Sequence, residues 1–372
     1  MQKVVIAGGG TGGHIYPGIA IAHALQKRFT NVQVEFVGAH GGLEERLVPR
    51  ENFPLHLVRV GKLHASVGRW TQLKTLLSLP IAMAHCWRLF SQIRPIAVLG
   101  VGGYASGPFL LVAAVRGVRT AIWEPNVYPG MTNRLLARLV QKCIVVFAAA
   151  AQFLPRAKVV RMGLPIRAQI ERLATLKYAE TSIDHETQAR GARPLKVLVF
   201  GGSQGARGIN RALMGAFVED SSWCAGIEIL HQTGRLDFAE VQAHYQRGSI
   251  RQVEAREFLY DMDHWLQWAD LVICRAGAST VAELAAAGKA AILIPLPTAA
   301  DDHQLKNAQA LQEAQAGKVI LQSEWTGARV RQEILYYAEH RDELELWSKN
   351  VRQFYVAEAA DKIAQELVGD LL

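Results

Sequence analysis

The chain of 372 residues uses one local design twice. "KVVIAGGGTGGH" at 3–14 and "KVLVFGGSQGARGIN" at 196–210 each run from a lysine and aliphatics into glycines and then into a helical pattern. A strand that meets a helix through a glycine turn is the opening of a βαβ unit. Further apolar runs alternate with amphipathic stretches: "VQVEFVG", "IAVLGVGG", "RTAIWE" and "CIVVF" in the first half, "IEILHQTG", "LVICRAG" and "AAILIPLP" in the second. These runs are apolar on both faces, as strands become when helices cover a parallel sheet on both sides. The fold class that follows is α/β, with two tandem Rossmann-like doubly wound domains. We place the first at 1–165 and the second at 195–349, joined by a polar crossover at 166–194. The terminal helical stretch, about 350–372, is expected to pack back on the first domain. Two such sheets facing one another would leave a cleft at the carboxyl ends of their strands, where open α/β sheets bind ligands.

Gly8, Gly10 and Gly13 satisfy the dinucleotide fingerprint G-x-G-x-x-G, a weak signal alone. That fingerprint needs an acid at the end of the second strand, and here Gly38, Ala39 and His40 stand there. A dehydrogenase is therefore disfavoured. Glycines at a strand-to-helix turn still leave N–H groups at the helix start for an anion, and Thr11, Gly12 and Gly13 would present them. His14, in the first helical turn, reads either as a packing residue or as a base that takes a proton from a hydroxyl. In the second half, "LVICRAGASTVAELAAAG" predicts strand, turn and a helix beginning near Ala278. Ser279 and Thr280 in its first turn can meet a diphosphate. Glu283, one turn in, can accept two hydrogen bonds from a ribose diol, or can simply favour the helix dipole. A second glycine loop, Gly201 to Gly205, opens the same domain, and two anion-capable loops together describe a nucleotide diphosphate.

Charge is divided unevenly. Residues 1–165 hold 19 Lys and Arg against 5 Asp and Glu, whereas the remainder holds 22 against 28. The basic half is expected to meet something anionic, the alternative being a solvated basic face. The segment 61–90 has no acidic residue and mixes Lys62, Arg69, Lys74 and Arg88 with Trp70, Leu73, Leu76, Leu77, Ile81, Met83 and Trp87. It is the candidate membrane-contact segment, although a buried helix would use the same apolar residues. With neither an aromatic-basic platform nor a reading helix, nucleic acid is not an expected partner. The longest near-apolar stretch, 143–154, is too short to span a bilayer. The amino-terminal residues lack a continuous apolar leader, and the four cysteines are scattered, so a cytoplasmic, reducing setting is expected.

"GGGTGGHIYPG", "GVGGYASGP", "GGSQGARGIN", "CRAGASTVAELAAAGKAAILIPLP" and "DDHQLKNA", in this order across nearly the whole chain, resemble the MurG family. The resemblance implies the GT-B fold and an inverting transfer of GlcNAc from UDP-GlcNAc to lipid I. The acceptor would be the C4 hydroxyl of MurNAc in undecaprenyl-pyrophosphoryl-MurNAc-pentapeptide, and the product lipid II, made at the cytoplasmic face of the inner membrane by a peripheral enzyme. It implies that Thr11, Gly12 and Gly13 border the donor and acceptor phosphates and that Asn126, Arg167, Ser203 and Leu259 meet the donor, Leu259 through its backbone at uracil. It further implies that Ala278, Ser279, Thr280, Val281, Ala282 and Glu283 hold diphosphate and ribose, that Gln304 with His303 reaches the GlcNAc hydroxyls, and that Arg275 helps neutralise the leaving diphosphate. Where many members read His-Glu-Gln-Asn this chain has Trp123-Glu124-Pro125-Asn126, and the usual Gly-Asn-Pro is Gly163-Leu164-Pro165.

The mechanism expected is direct displacement, with His14 as general base and Glu124 as an alternative or an orienting partner. No cofactor is expected and no metal site: the only Asp-x-Asp, Asp261-Met262-Asp263, reads as a helix cap. Two rivals share the fold. A UDP-GlcNAc 2-epimerase would need no acceptor and would leave the basic half without a purpose, and a non-catalytic UDP-sugar-binding protein of the membrane surface would not require His14.

Overall fold

The computed structural model describes residues 1–59, 69–103, 105–180, 193–218 and 220–371, with the side chains of 69–79 and 176–180 outside the description. Contacts divide the chain into two compact units, residues 1–165 together with 356–372, and residues 166–355.

In the first unit the chain runs β1 (Gln2–Gly8), α1 (Gly12–Arg28), β2 (Val32–Ala39), α2 (Glu44–Arg50), β3 (Leu55–Val58), α3 (Arg69–Ile93), β4 (Ala97–Gly102), α4 (Ser106–Val115), β5 (Arg119–Glu124), α5 (Met131–Leu136), β6 (Lys142–Val145) and β7 (Val159–Arg161). The seven strands lie in the order β3-β2-β1-β4-β5-β6-β7, every pair parallel. Val4, Val5, Ile6 and Ala7 of β1 are wholly buried, because helices cover the strand from both sides. Helix α1 follows from its sequence. Ile15, Ile19 and Ala22 recur on one buried face, and Lys27 and Arg28 occupy the last turn, where cations favour the carbonyl end.

The second unit runs α6 (Ala168–Glu180), β8 (Leu195–Phe200), α7 (Arg207–Gly215), β9 (Ile227–Gln232), α8 (Phe238–Arg247), β10 (Val253–Arg256), α9 (Met262–Trp268), β11 (Leu271–Cys274), α10 (Ala278–Ala287), β12 (Ala290–Leu293), α11 (His303–Glu313), β13 (Lys318–Val319), α12 (Gly327–Glu339) and α13 (Arg341–Val351). Its six strands, again parallel, lie in the order β10-β9-β8-β11-β12-β13. The last helix, α14 (Ala359–Val368), belongs to the first unit, burying Ile363, Ala364, Leu367 and Val368.

The stretch 166–194, read from sequence as a crossover, therefore contains a packed helix: Ile170, Leu173 and Ala174 of α6 are buried in the second unit. Residues 181–192, where the polar composition is strongest, lie outside the described residues. The return to the first unit falls at Val356, later than the expected boundary, because α13 stays with the second unit.

Both sheets change winding direction at an inner strand pair, β1 with β4 in the first unit and β8 with β11 in the second. Such a switch point opens a crevice at the carboxyl ends of the strands, since the two connections leave on opposite sides. All four of those strand ends run into glycine-containing turns: 8–10, 102–103, 201–205 and 275–277. Four buried cysteines, Cys86, Cys143, Cys224 and Cys274, pack as unpaired thiols. Among the described residues no helix is long and apolar enough to cross a membrane.

Candidate active site

At the switch point of the first unit the segment 8–10 leaves β1 beside the end of β4. The Gly9 N–H donates to the Gly102 carbonyl at 3.1 Å. Thr11 takes the extended N-cap conformation of α1, but its hydroxyl makes no cap bond and lies instead 3.2 Å from His14 Nδ1. His14 Nδ1 also lies 3.3 Å from the Gly9 carbonyl. The ring sits over Gly102, where an added Cβ would come within 2.9 Å of Nε2 and the backbone has φ +98. Only glycine meets both demands. The structure thus brings Thr11, Gly12, Gly13 and His14 together at one helix start whose first amides have no side-chain cap.

Glu124, at the end of β5, is 2 % exposed. Its Oε1 accepts from the Asn126 N–H at 3.0 Å and the Asn126 amide at 3.3 Å, and its Oε2 from the Gly130 N–H at 3.0 Å and the Asn133 amide at 2.9 Å. Four donors from its own loop enclose the carboxyl, which makes it the organiser of residues 124–133. Burial raises its pKa against the pull of those donors. Next to it, Trp123 is fully buried and donates its indole N–H to the Gly163 carbonyl at 3.3 Å. An indole that cannot accept a hydrogen bond thus faces the core and ties β5 to Gly163.

In the second unit, α10 begins after Gly277, again with no side-chain cap, so the amides of Ala278, Ser279 and Thr280 start the helix without an internal acceptor. Glu283 lies one turn in and pairs with Arg167, whose Nε and terminal nitrogen both reach Oε1, at 3.1 and 2.9 Å. Burial raises the Glu283 pKa, with Arg167 opposing. Val281 and Ala282 are buried. Arg275, 9 % exposed, donates to the carbonyls of Ile294 and Pro295 and to Gln322 Oε1. Those partners are neutral oxygens, so its positive charge remains for an anion, and burial lowers its pKa. These three bonds anchor the guanidinium beside the turn that precedes α10.

Around these groups, Ser203 is exposed in the loop before α7. Leu259 buries its side chain, which anchors the backbone at 258–260. Gln304 Oε1 accepts from the Leu296 N–H at 3.0 Å. His303 Nδ1 meets the Ala300 carbonyl at 2.8 Å. Asp261 does stand at the N-cap of α9, yet its carboxylate accepts from the Trp265 indole rather than capping the helix.

Three supporting groups went unread in the sequence. Asn307, wholly buried, donates to the Ala276 carbonyl and fixes the turn before α10. His231 is held between the Tyr245 hydroxyl and Asn210 Oδ1, and burial pushes its pKa down to about 3; Asn210 in turn donates to the Thr233 carbonyl. Glu44, with no exposed surface, accepts from the Gly10 and Ala39 amides. A polar residue inside an apolar pattern, helical at Asn307 and strand-like at His231, was the only signal for the first two, and the glycines that precede a helix-starting acid the signal for the third.

A pair of parallel sheets, each with an uncapped helix start at its switch point and one with a carboxylate a turn inside, is the arrangement of the GT-B fold. Family models place the chain among its glycosyltransferases: the glycosyltransferase family 28 N-terminal domain matches residues 4–145 and the family 28 C-terminal domain residues 196–366. A Bdellovibrio bacteriovorus protein named UDP-N-acetylglucosamine–N-acetylmuramyl-(pentapeptide) pyrophosphoryl-undecaprenol N-acetylglucosamine transferase is 44% identical over 367 residues, 99% of each chain. A Myxococcus xanthus protein of the same name is 41% identical over 99% of this chain and 93% of its own. A crystal structure of Acinetobacter baumannii MurG superposes with TM-score 0.80 at 28% identity, covering 99% of this chain and 100% of that one. The chain belongs to the MurG family. A structure described as a UDP-N-acetylglucosamine 2-epimerase from Listeria monocytogenes, assigned there provisionally, shares the fold at TM-score 0.66 and 13% identity, covering 100% of this chain and 97% of that one.

The enclosure of Glu124 has a pH consequence. Its pKa is raised on folding, so the native state holds more proton than the unfolded chain, and stability falls as pH rises from the ordinary carboxylate range to the raised value. Glu124→Gln should flatten that slope in denaturant titrations of wild type and variant across the acid range. An unchanged slope would show that Glu124 is not the group responsible.

Proposed function

We propose that the chain transfers GlcNAc from UDP-GlcNAc to the MurNAc C4 hydroxyl of undecaprenyl-pyrophosphoryl-MurNAc-pentapeptide. The observation that carries this reading is the start of α10: uncapped amides at Ala278, Ser279 and Thr280, Glu283 one turn in, and the buried charge of Arg275 behind. A diphosphate matches the amides and the charge, and a ribose diol matches the carboxylate. Similarity along nearly the whole chain to proteins named for this transfer supports the donor and the lipid-linked acceptor together.

In the reaction, the C4 oxygen attacks the anomeric carbon of GlcNAc as the bond from that carbon to the β-phosphate oxygen breaks, inverting the centre. The hydroxyl proton passes to the His14 imidazole, and Glu124 keeps the acceptor loop, with Asn126, in shape. UDP departs with its charge met by helix amides, Ser203 and the field of Arg275, so no divalent cation is required of the residues. An epimerase would need neither the acceptor nor the basic first half.

The enzyme would work as a peripheral protein on the cytoplasmic leaflet. Anionic lipid attracts Lys and Arg by about 1 kcal/mol each near the surface. Of the segment 61–90, Ile81 and Trp87 in α3 are described and exposed, whereas 60–68 and the side chains of 69–79 lie outside the described residues.

Two experiments test this reading. Radiolabelled UDP-GlcNAc and a lipid I analogue should give a labelled disaccharide-lipid with or without EDTA, and His14→Ala should lower kcat about 10²- to 10⁴-fold. Release of free ManNAc from donor alone would replace transfer with epimerisation. For the membrane assignment, Arg69→Glu with Lys74→Glu should reduce flotation with anionic liposomes, and unchanged flotation would remove the segment from that role.

A further inference from the structure

Glu44 is a buried carboxylate that the reaction as described does not use. It starts α2, and its side chain bridges the chain just past the carboxyl end of β1 and the last residue of β2. Its Oε2 accepts from the Gly10 N–H at 2.8 Å and its Oε1 from the Ala39 N–H at 2.9 Å. The space is built for it. A Cβ on Gly9 would fall 2.4 Å from its carboxyl carbon, one on Gly38 2.5 Å from its Cγ, and one on Gly42 2.2 Å from Oε2. Three backbones must lack side chains for this head group to fit, and its burial removes every exposed atom. A carboxylate brought this far from water without a cationic partner in these bonds must be held by the dipoles it touches.

The Gly10 N–H belongs to the same peptide unit as the Gly9 carbonyl, which lies 3.3 Å from His14 Nδ1. One planar amide thus joins the two groups, with the carboxylate at its N–H end and the imidazole at its C=O end. A carbonyl oxygen can only accept, so a hydrogen bond across this contact requires the proton on Nδ1. Thr11 Oγ1, 3.2 Å away, can share that hydrogen as a second acceptor. Hydrogen bonds in a chain polarise one another, so a negative acceptor at the N–H end enriches the carbonyl oxygen and strengthens its hold on Nδ1–H. In a neutral imidazole whose Nδ1 is protonated the lone pair is on Nε2.

We propose that Glu44 is a positioning residue that acts on His14 through the Gly9–Gly10 peptide, fixing the Nδ1–H tautomer and so making Nε2 the atom that receives the acceptor proton. The device follows the logic of a carboxylate orienting a catalytic histidine, with a backbone amide inserted between the two. It rests on the reading of His14 as the base. It also explains why the segment after β2 folds back: the carboxylate that a dinucleotide site offers to ribose near the end of this strand is here turned onto backbone amides.

The test uses the full chain labelled with ¹⁵N-histidine, the His14 signals among the twelve histidines being assigned by their loss in His14→Gln. The neutral His14 ring of the wild type should carry its proton on Nδ1, and should keep it there in Thr11→Val, which removes the alternative acceptor. Glu44→Gln, isosteric but uncharged and with a donor facing one of the two amides, should shift population toward Nε2–H. It should lower kcat about 10- to 100-fold with KM for UDP-GlcNAc changed by less than about twofold. An Nε2–H ring in the wild type, or a proton that leaves Nδ1 in Thr11→Val, overturns the proposal even where Glu44→Gln does not fold. A folded Glu44→Gln with unchanged tautomer and kcat, while His14→Gln is inactive, overturns the role of Glu44 alone. Full transfer by His14→Gln overturns the base assignment on which the proposal rests.

Discussion

A helix start leaves backbone amides without acceptors, and in this chain two such starts stand where a parallel sheet changes its winding direction. At α1 and at α10 the N-cap residue supplies no side-chain acceptor, although serine and threonine are at hand. The hydroxyl of Thr11 goes to His14, and Gly277 has none to give. Leaving these amides open forgoes about 1 kcal/mol of capping stabilisation at each helix. An anion supplied from outside would restore the missing bonds, and the surrounding groups suit that use: small residues for close approach, a buried arginine beside one turn and a histidine at the other.

Three acids illustrate how burial assigns different work to the same side chain. Glu124 is closed off by four donors of its own loop and holds that loop in shape. Glu44 is closed off by glycine backbones and reaches the histidine only through an amide. Glu283 keeps partial access to solvent and meets a long, half-exposed arginine that a sugar diol can displace or join. Only this last arrangement suits a carboxylate that must exchange its partners during a catalytic cycle. The first two are fixed, and their value lies in what they hold.

Much of the fold was legible because its signals are local and repeated. Apolar runs on the scale of a strand, glycine turns and helical spacing recur in both halves, and they yield the parallel sheets and the switch-point turns. The division near Pro165 was visible in composition, whereas α6 was hidden: its polar exposed face outweighs Ile170, Leu173 and Ala174. At the site, the residues on the helix starts were readable from spacing. Long-range partners were not. That Glu124 meets Asn133, that Trp123 reaches Gly163, or that Glu44 returns to Gly10 depends on how strands are ordered in the sheet, which no window of sequence contains.

The account stands on the amides of the helix starts, and an NMR titration of the labelled full chain with UDP-GlcNAc addresses them directly. The account predicts that the amide signals of Ala278, Ser279 and Thr280 shift on saturation and become protected from exchange, while the Gly10 amide, already held by Glu44, keeps its exchange rate. Saturable donor binding that leaves the three α10 amides unmoved would contradict it, because the diphosphate would then be held elsewhere.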